Sequence, residues 1–376
     1  MRLDKYDVLC SHECKFVSFG ILGMVQHKFK ADPPMPPSLT GRNPSLAVEV
    51  VEGCPMCGST RFFSRILDVY DWTFWCTEDS WSFALCEGCK SMYLIKRPME
   101  SSVQLAYSNY YTHDNSKQAN KLTDKTISTI KAKIHKYSGV FSRLFRRLGV
   151  YPHTFLDDIT RSVPGSIVDI GCGSGKLLSE LAPEWKKTGI EFDPNAVSAA
   201  RQKGLAISHG TFEVINEFKD EFDVIVCSHV LEHVHNPQLL LDLSVNALKQ
   251  NGELWLQWPN PKADGLALFG KYWRGLEAPR HLCLMSKQSV IKHLKRRFGD
   301  LLEIRDVSSK YKKAAIYMRL ASRSIYNGNA GEFSALSHLL ELMKFWRYGA
   351  KIENYEFCTL VVKKKVIPPF IKGHQK

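Results

Sequence analysis

The stretch Ser166-Ile167-Val168-Asp169-Ile170-Gly171-Cys172-Gly173-Ser174-Gly175 constrains this chain more than any other. A β-branched run meets an acid and enters a turn of alternating glycines. Lys176-Leu177-Leu178-Ser179-Glu180-Leu181 then reads as the start of a helix. Strand, tight turn and helix in that order make the βα unit that lets a backbone approach a nucleotide-like ligand. The spacing is G-x-G-x-G. A dinucleotide fingerprint needs its last glycine at position 176, where Lys176 stands, and a P-loop needs Ser or Thr at 177, where Leu177 stands. The acid two residues before the first glycine suits a third ligand, S-adenosylmethionine, whose amino-acid end carries an ammonium group. The alternative is a tight turn with no ligand.

The length, 376 residues, allows one large domain and a smaller one. A formal net charge of +13 favours anionic partners without specifying nucleic acid. No apolar run is long enough to span a membrane, and residues 16–25 are short and lack a clear cleavage site. A soluble, cytoplasmic protein is expected. Eleven cysteines in a chain of this kind, two pairs of them spaced C-x-x-C, point to metal rather than disulfides.

Residues 1–48 read as a poorly ordered extension, with Asp32-Pro33-Pro34-Met35-Pro36-Pro37 as a linker. Cys10 and Cys14 lack a second pair nearby. Residues 49–98 hold Cys54-Pro55-Met56-Cys57 and Cys86-Glu87-Gly88-Cys89. Two such loops can complete a sulfur tetrahedron, which predicts a zinc ribbon with Cys54, Cys57, Cys86 and Cys89 as ligands. Four sulfurs leave no open position, so the role expected for zinc is structural. Cys76 is a spare thiol that could replace one ligand. Residues 99–150 form a connecting region. From 117 to 150 an apolar stripe (Ile127, Ile130, Ile134, Tyr137, Phe141, Leu144, Leu148) predicts a helix, and its other face is strongly cationic. Docking on the next domain is the simpler reading; contact with an anionic surface or RNA is the sharper one.

From 151 to 365 strands and helices alternate, which predicts a doubly wound, Rossmann-like α/β domain with a mostly parallel sheet. Strands are expected at 166–170, 187–191, 206–209, 222–227 and 253–258, with late strands at 302–307 and 355–363. Helices are expected at 196–202, 237–249, 289–297 and near 334–346, and a turn at Asn251-Gly252. Residues 261–286 interrupt the alternation. They crowd Tyr272, Trp273, Arg274, Arg280 and His281 into an irregular segment, read as a lid or acceptor wall. Residues 366–376 are expected to be a loose tail.

Together these residues resemble the class I S-adenosylmethionine-dependent methyltransferases. The resemblance rests on 168–175, Gly189-Ile190-Glu191-Phe192-Asp193-Pro194, Phe222-Asp223-Val224-Ile225, Val230-Leu231-Glu232-His233-Val234 and Gly252-Glu253-Leu254-Trp255-Leu256. The ribbon in front, with Pro279-Arg280-His281, is similar to a bacterial subgroup associated with modification of sugars, glycans and secondary metabolites. The resemblance implies that Asp169 and the backbone of Gly171, Cys172, Gly173 and Gly175 hold the methionine part. Glu191 would take the ribose, Phe192 would lie by the adenine, and Ser228 and His229 would face the methyl group. The family often has an acid directly after the glycine that is Gly210 here. Thr211 stands there instead, which would leave the adenine contact to Phe212 and the backbone.

Methyl transfer is a displacement at a carbon already activated by sulfonium, so alignment is most of the task, and a hydroxyl acceptor also needs a base. His281 is the first candidate and His229 the second, while His233 is expected to cap or pack. The leading expectation is O-methylation of a sugar or secondary-metabolite hydroxyl on a small molecule or glycan. The first alternative is an RNA methyltransferase using the ribbon and basic helix. The second is a non-catalytic zinc-ribbon adaptor on a degenerate fold, which the intact Asp169, glycine turn and Glu191 argue against.

Overall fold

The computed structural model describes residues 46–107, 155–326 and 355–366. Cys10, Cys14, the proline run, the cationic helix expected at 117–150, the helix expected near 334–346 and the end of the tail lie outside the described residues.

The N-terminal part holds five short strands: β1 (Val48–Val50), β2 (Phe62–Val69), β3 (Trp81–Cys86), β4 (Met92–Leu94) and β5 (Lys96–Pro98). The larger part runs α1 (Phe155–Ile159), β6 (Ser166–Ile170), α2 (Lys176–Glu180), β7 (Lys186–Glu191), α3 (Pro194–Arg201), β8 (Ala206–His209), β9 (Phe222–Ser228), α4 (Pro237–Ala247), β10 (Leu248–Pro259) and α5 (Asp264–Phe269). It continues through β11 (Cys283–Leu284), α6 (Lys287–Phe298), β12 (Leu302–Asp306), α7 (Ala315–Tyr326) and β13 (Phe357–Lys364).

Seven strands form one sheet in the order β12-β13-β10-β9-β6-β7-β8. The five from β10 to β8 are parallel, and β13 runs antiparallel to both β10 and β12. The doubly wound, mostly parallel sheet expected from the alternation is therefore present. Side chains alternate along β6 and β9 into two cores, as the strand period requires. Ile167, Val224 and Val226 join Phe155, Trp185 and Tyr311 on one face; Val168, Ile170, Ile225 and Cys227 join Leu240, Leu254 and Leu256 on the other. Burial on both faces explains why these strands read as continuous apolar runs. The chain leaves β6 toward β7 on one side and reaches β9 on the other. The crevice outside the carboxyl end of β6 is thus the topological switch point, where open α/β sheets hold ligands.

Helix starts follow local chemistry. Asp193 accepts from the Asn195 amide with Pro194 behind it, Asn236 accepts from the Leu239 amide with Pro237 behind it, and Ser286 caps α6. Ser286 explains why α6 begins at Lys287, ahead of the apolar periodicity that marked 289–297. The expected turn at Asn251-Gly252 is instead an irregularity inside β10, with Asn251 at φ +64°. Helix α7 was not anticipated. It docks on the lid through Ser322 Oγ, which accepts from the Arg274 amide at 2.9 Å, and through Arg319, which donates to Glu356 at 2.7 Å.

The ribbon sheet is not confined to 49–98. Its order is β11-β4-β3-β2, so residues 283–284 of the lid segment add a strand to β4. Val69, Trp81, Phe83 and Leu94 share one core with Trp273, Leu276, Leu282 and Leu284. The reason is simple: the three-residue β4 would otherwise be a bare, apolar edge. Among the described residues no helix is long and apolar enough to cross a membrane.

Candidate cofactor and acceptor site

The glycine turn between β6 and α2 is tied to the end of β7 by one side chain. Glu191 accepts from the Gly173 amide at 2.8 Å through Oε2, and from the Phe192 and Asp193 amides, both at 2.9 Å, through Oε1. Gly171 and Gly175 have φ of +68° and +73°. A Cβ on Gly175 would also lie 2.2 Å from the Leu205 side chain, so glycine is required there on both counts. Asp169 differs from its neighbour. It is 6% exposed and no hydrogen bond reaches its carboxylate among the described residues. Burial, with the Glu191 charge added, pushes its pKa up to about 8. A buried carboxylate without a partner costs free energy in the empty site, and a cation placed beside it would recover that cost.

Next to this turn lies a cavity of about 230 Å³. Of the residues expected at a cofactor, Gly171, Glu191, Phe192 and Phe212 line it. Asp169, Cys172, Gly173, Gly175, Ser228 and His229 do not. Cys172 belongs to the core with Leu177 and Leu178, on the side of the sheet away from Val168 and Ile170. Among the lining residues not assigned this place from the sequence, three carry polar or aromatic groups next to the expected ones. Tyr107, at the end of a 3-10 turn after the ribbon, meets Phe192 edge-on with ring centroids 5.4 Å apart. Glu213 lines the cavity and accepts a hydrogen bond from Thr211 Oγ1. An acid thus lines the cavity two residues after position 211. His233 is the third.

His233 does more than cap a helix. Its Nδ1 donates to the Arg280 carbonyl at 3.0 Å, its ring lies 4.6 Å from that of His281, and Tyr107 Oη is 2.9 Å from the same Nδ1. His281 is buried behind it and does not line the cavity. Its Nδ1 donates to the Gly275 carbonyl at 2.7 Å, and its Nε2 lies 3.8 Å from Glu277 and 4.0 Å from Glu232. Burial, then His233, lowers the His281 pKa to about 4, so the ring is neutral at physiological pH. His229 has φ +55°, and its Nδ1 lies 3.1 Å from Glu232 Oε1. Burial alone would raise the pKa of Glu232, but the His229 hydrogen bond and the surrounding imidazoles outweigh it and hold the acid lowered. Arg280 is fully buried. Its guanidinium makes a two-pronged pair with Asp71 at 2.6 and 2.7 Å and also donates to Glu277. This pair joins the ribbon to the lid.

Residues 139–299 match the family profile described as a methyltransferase domain. This is a class I S-adenosylmethionine-dependent methyltransferase domain. A ubiquinone biosynthesis O-methyltransferase of Xylella fastidiosa (strain 9a5c) is 32% identical over 116 residues, covering 28% of this chain and 47% of that one. One of Xanthomonas euvesicatoria pv. vesicatoria (strain 85-10) is 29% identical over 175 residues, covering 43% and 72%. The chain spans about half the length of the first curated relatives it matches. A methyltransferase crystal structure from Archaeoglobus fulgidus overlaps 63% of this chain and 99% of its own at 15% identity, but a TM-score of 0.38 is too loose to add to the fold argument.

In front of the methyltransferase domain, the four expected cysteines converge. Cys54 and Cys89 sulfurs are 3.5 Å apart, as are those of Cys57 and Cys86, and all four lie within 4.8 Å of one another. Zinc–thiolate bonds of about 2.3 Å in a tetrahedron need sulfurs at similar separations, so the donor set fits zinc. The hydrogen bond from Cys54 lowers the Cys89 thiol to about 5, already favouring a thiolate. Cys76 stands apart, buried with its sulfur 3.7 Å from Arg280, and does not belong to the cluster.

Proposed function

We propose that this chain transfers a methyl group from S-adenosylmethionine to a hydroxyl of a small-molecule or glycan acceptor. The single observation that carries the reading is Asp169: a buried, unpartnered carboxylate beside a glycine turn at the switch point of the sheet. S-adenosylmethionine brings the electrophilic methyl group. In this reading Asp169 receives its ammonium and the 171–175 backbone cradles the methionine part. Glu191 has three of its acceptor positions committed to backbone amides, leaving at most one for the ribose. Phe192, Phe212 and Tyr107 enclose the base. Ser228 and His229 remain candidates for the methyl end.

The acceptor side is formed by the loop after β9 and the lid. Of the two histidines first expected as base, His281 lies behind His233. His233, the member of the Glu232–His233–His281 group at the cavity, is therefore the candidate to take the proton of the acceptor hydroxyl through its free Nε2. Oxygen as the acceptor atom is supported by the names of the relatives. A sugar or secondary-metabolite hydroxyl is the finer suggestion of the ribbon-bearing subgroup. Residues 46–107 and 261–286 act in this reading as one lid on the 151–365 domain, with zinc holding its knuckles.

Calorimetry with S-adenosylmethionine is the first test. Binding by the wild type, lost in Asp169→Asn, is expected; equal affinity of the two would overturn the site. Labelled methyl transfer into a fractionated bacterial extract then reads the acceptor class, and label in a small-molecule or glycan pool is expected. One observation favours a second reading. A groove of about 640 Å³ between the knuckles and α6 is lined by Arg61, Lys90, Lys262, Lys292 and Arg296 with no acid. Label appearing in RNA, and falling when these are changed to Glu, would replace the leading acceptor class with RNA.

A further inference from the structure

Glu232 presents an imbalance that methyl transfer alone does not explain. It is fully buried, and its Oε2 has no hydrogen-bond partner among the described residues. Nearby carboxylates are balanced: Asp71 by Arg280, and Glu277 by Arg274 and Arg280. Around Glu232 stand three imidazoles. His229 Nδ1 lies against Oε1. His233 and His281 both have Nδ1 against backbone carbonyls, of Arg280 and Gly275, and in His233 the Tyr107 hydroxyl shares that nitrogen. A carbonyl can only accept, so both rings carry their proton on Nδ1 and present an Nε2 lone pair. Among the described residues neither Nε2 makes a hydrogen bond. One ligand atom from each of Glu232, His233 and His281 lies within 4.8 Å of the others.

Two imidazoles whose outer nitrogens are fixed by carbonyls, with a buried carboxylate within reach of both, are the arrangement by which proteins orient ligands for a divalent ion. We propose that Glu232, His233 and His281 bind a divalent transition-metal cation of the zinc, manganese or iron(II) type, separate from the cysteine site. Two nitrogens and one carboxylate suit this class better than calcium or magnesium, which prefer oxygen. The ion neutralises the buried Glu232 carboxylate. Three protein ligands leave coordination open, and His233 places that opening at the cavity wall. This consequence rests on the methyltransferase reading: an acceptor hydroxyl reaching the ion would lose its proton more readily, and His233 and His281 would serve as ligands rather than as a free base. The metal site itself does not depend on that reading.

The test is a metal count on the full chain, stripped with chelator and reloaded with Co²⁺. Cobalt held by thiolates absorbs strongly in the near ultraviolet, and cobalt held by imidazole and carboxylate does not. Wild type is expected to take two equivalents, one with the thiolate band and one without. Glu232→Gln and His281→Asn are each expected to lose the second equivalent, or to bind it at least tenfold more weakly. The thiolate band should survive in both, which also shows that the chain has folded. A wild type that binds only thiolate-ligated cobalt overturns the proposal, as does a second equivalent unchanged in both variants. S-adenosylmethionine calorimetry on the same samples reports separately on the methyltransferase reading, so the two can fail independently.

Discussion

The carboxyl ends of β6 and β7 and the loop after β9 are neighbouring walls of one cavity, built in opposite ways. At the first, Asp169, the glycine turn, Glu191 and Asp193 follow one another closely in the chain, and one carboxylate stitches them together. At the second, Asp71, Tyr107, His233, Arg280 and His281 arrive from three distant segments, held by a buried ion pair and a borrowed strand. The first wall depends on local sequence. The second depends on the ribbon being docked.

The largest expected effect comes from breaking that dependence at the metal. Cys57→Ser should release the thiolate-bound ion and collapse the ribbon, since binding of structural zinc is worth on the order of 10 kcal/mol in small domains. The shared core with the lid should carry the damage to the second wall. Methyl transfer should be lost, while S-adenosylmethionine affinity falls less than tenfold. Metal analysis, transfer assays and calorimetry check this. Equal collapse of both activities would show that the two walls are one cooperative unit.

Next is the Asp71–Arg280 pair, where both side chains are almost wholly buried. Arg280→Met strands the Asp71 charge and should cost about 3–5 kcal/mol in urea unfolding. Arg280→Met with Asp71→Leu should recover much of it, because replacing a whole buried pair with apolar groups is far less costly than breaking it. A double variant no better than the single would mean that Glu277 and the Phe74 ring face of Arg280 matter more than Asp71.

The contrast also explains what the sequence could reveal. Glu191 and the C-x-x-C pairs are legible because their partners lie at fixed short spacings, and Asp169 because β-branched runs and glycines mark the strand and turn it sits between. The pairing of β11 with β4 was not legible, since two residues, Cys283 and Leu284, carry no periodicity. That His233 lines the cavity and His281 lies behind it was not legible, for one reason. Which of two rings in edge-on contact faces a cavity depends on how the 261–286 segment returns over the loop after β9, and no local pattern encodes that. Glu213 could have been found by asking whether an acid lay anywhere on the turn after Gly210, rather than only at 211.

Asp169→Asn should act on the first wall with opposite signs on binding and stability. Its carboxyl has a folded pKa of about 8, above the ordinary value. A raised carboxylate pKa means that the folded state holds the proton more tightly. The contribution of Asp169 to wild-type stability is then fullest at acid pH, is lost as pH rises from about 4 through 8, and levels beyond. Each pH unit crossed is worth up to about 1.4 kcal/mol. The Asn variant lacks this slope, so it should melt higher than wild type above pH 8, with the gap closing toward pH 4. At the same time it should lose at least tenfold in cofactor affinity. A gap between wild type and variant that does not change with pH would mean that Asp169 is solvated or partnered in the free protein.

The smallest expected effect sharpens the adenine end of the same wall. Glu213 is exposed, unlike Glu191, so a hydrogen bond from an adenine amino group would gain only about 1 kcal/mol. Glu213→Ala should weaken S-adenosylhomocysteine binding by roughly three- to tenfold. An analogue carrying hypoxanthine in place of adenine offers no amino donor. It should bind wild type more weakly than the adenine ligand, and the variant should bind the two almost alike. If wild type fails to distinguish them, base recognition lies with the Phe192 and Phe212 faces alone. The displaced acid then serves only Thr211, as an internal brace of the turn after β8.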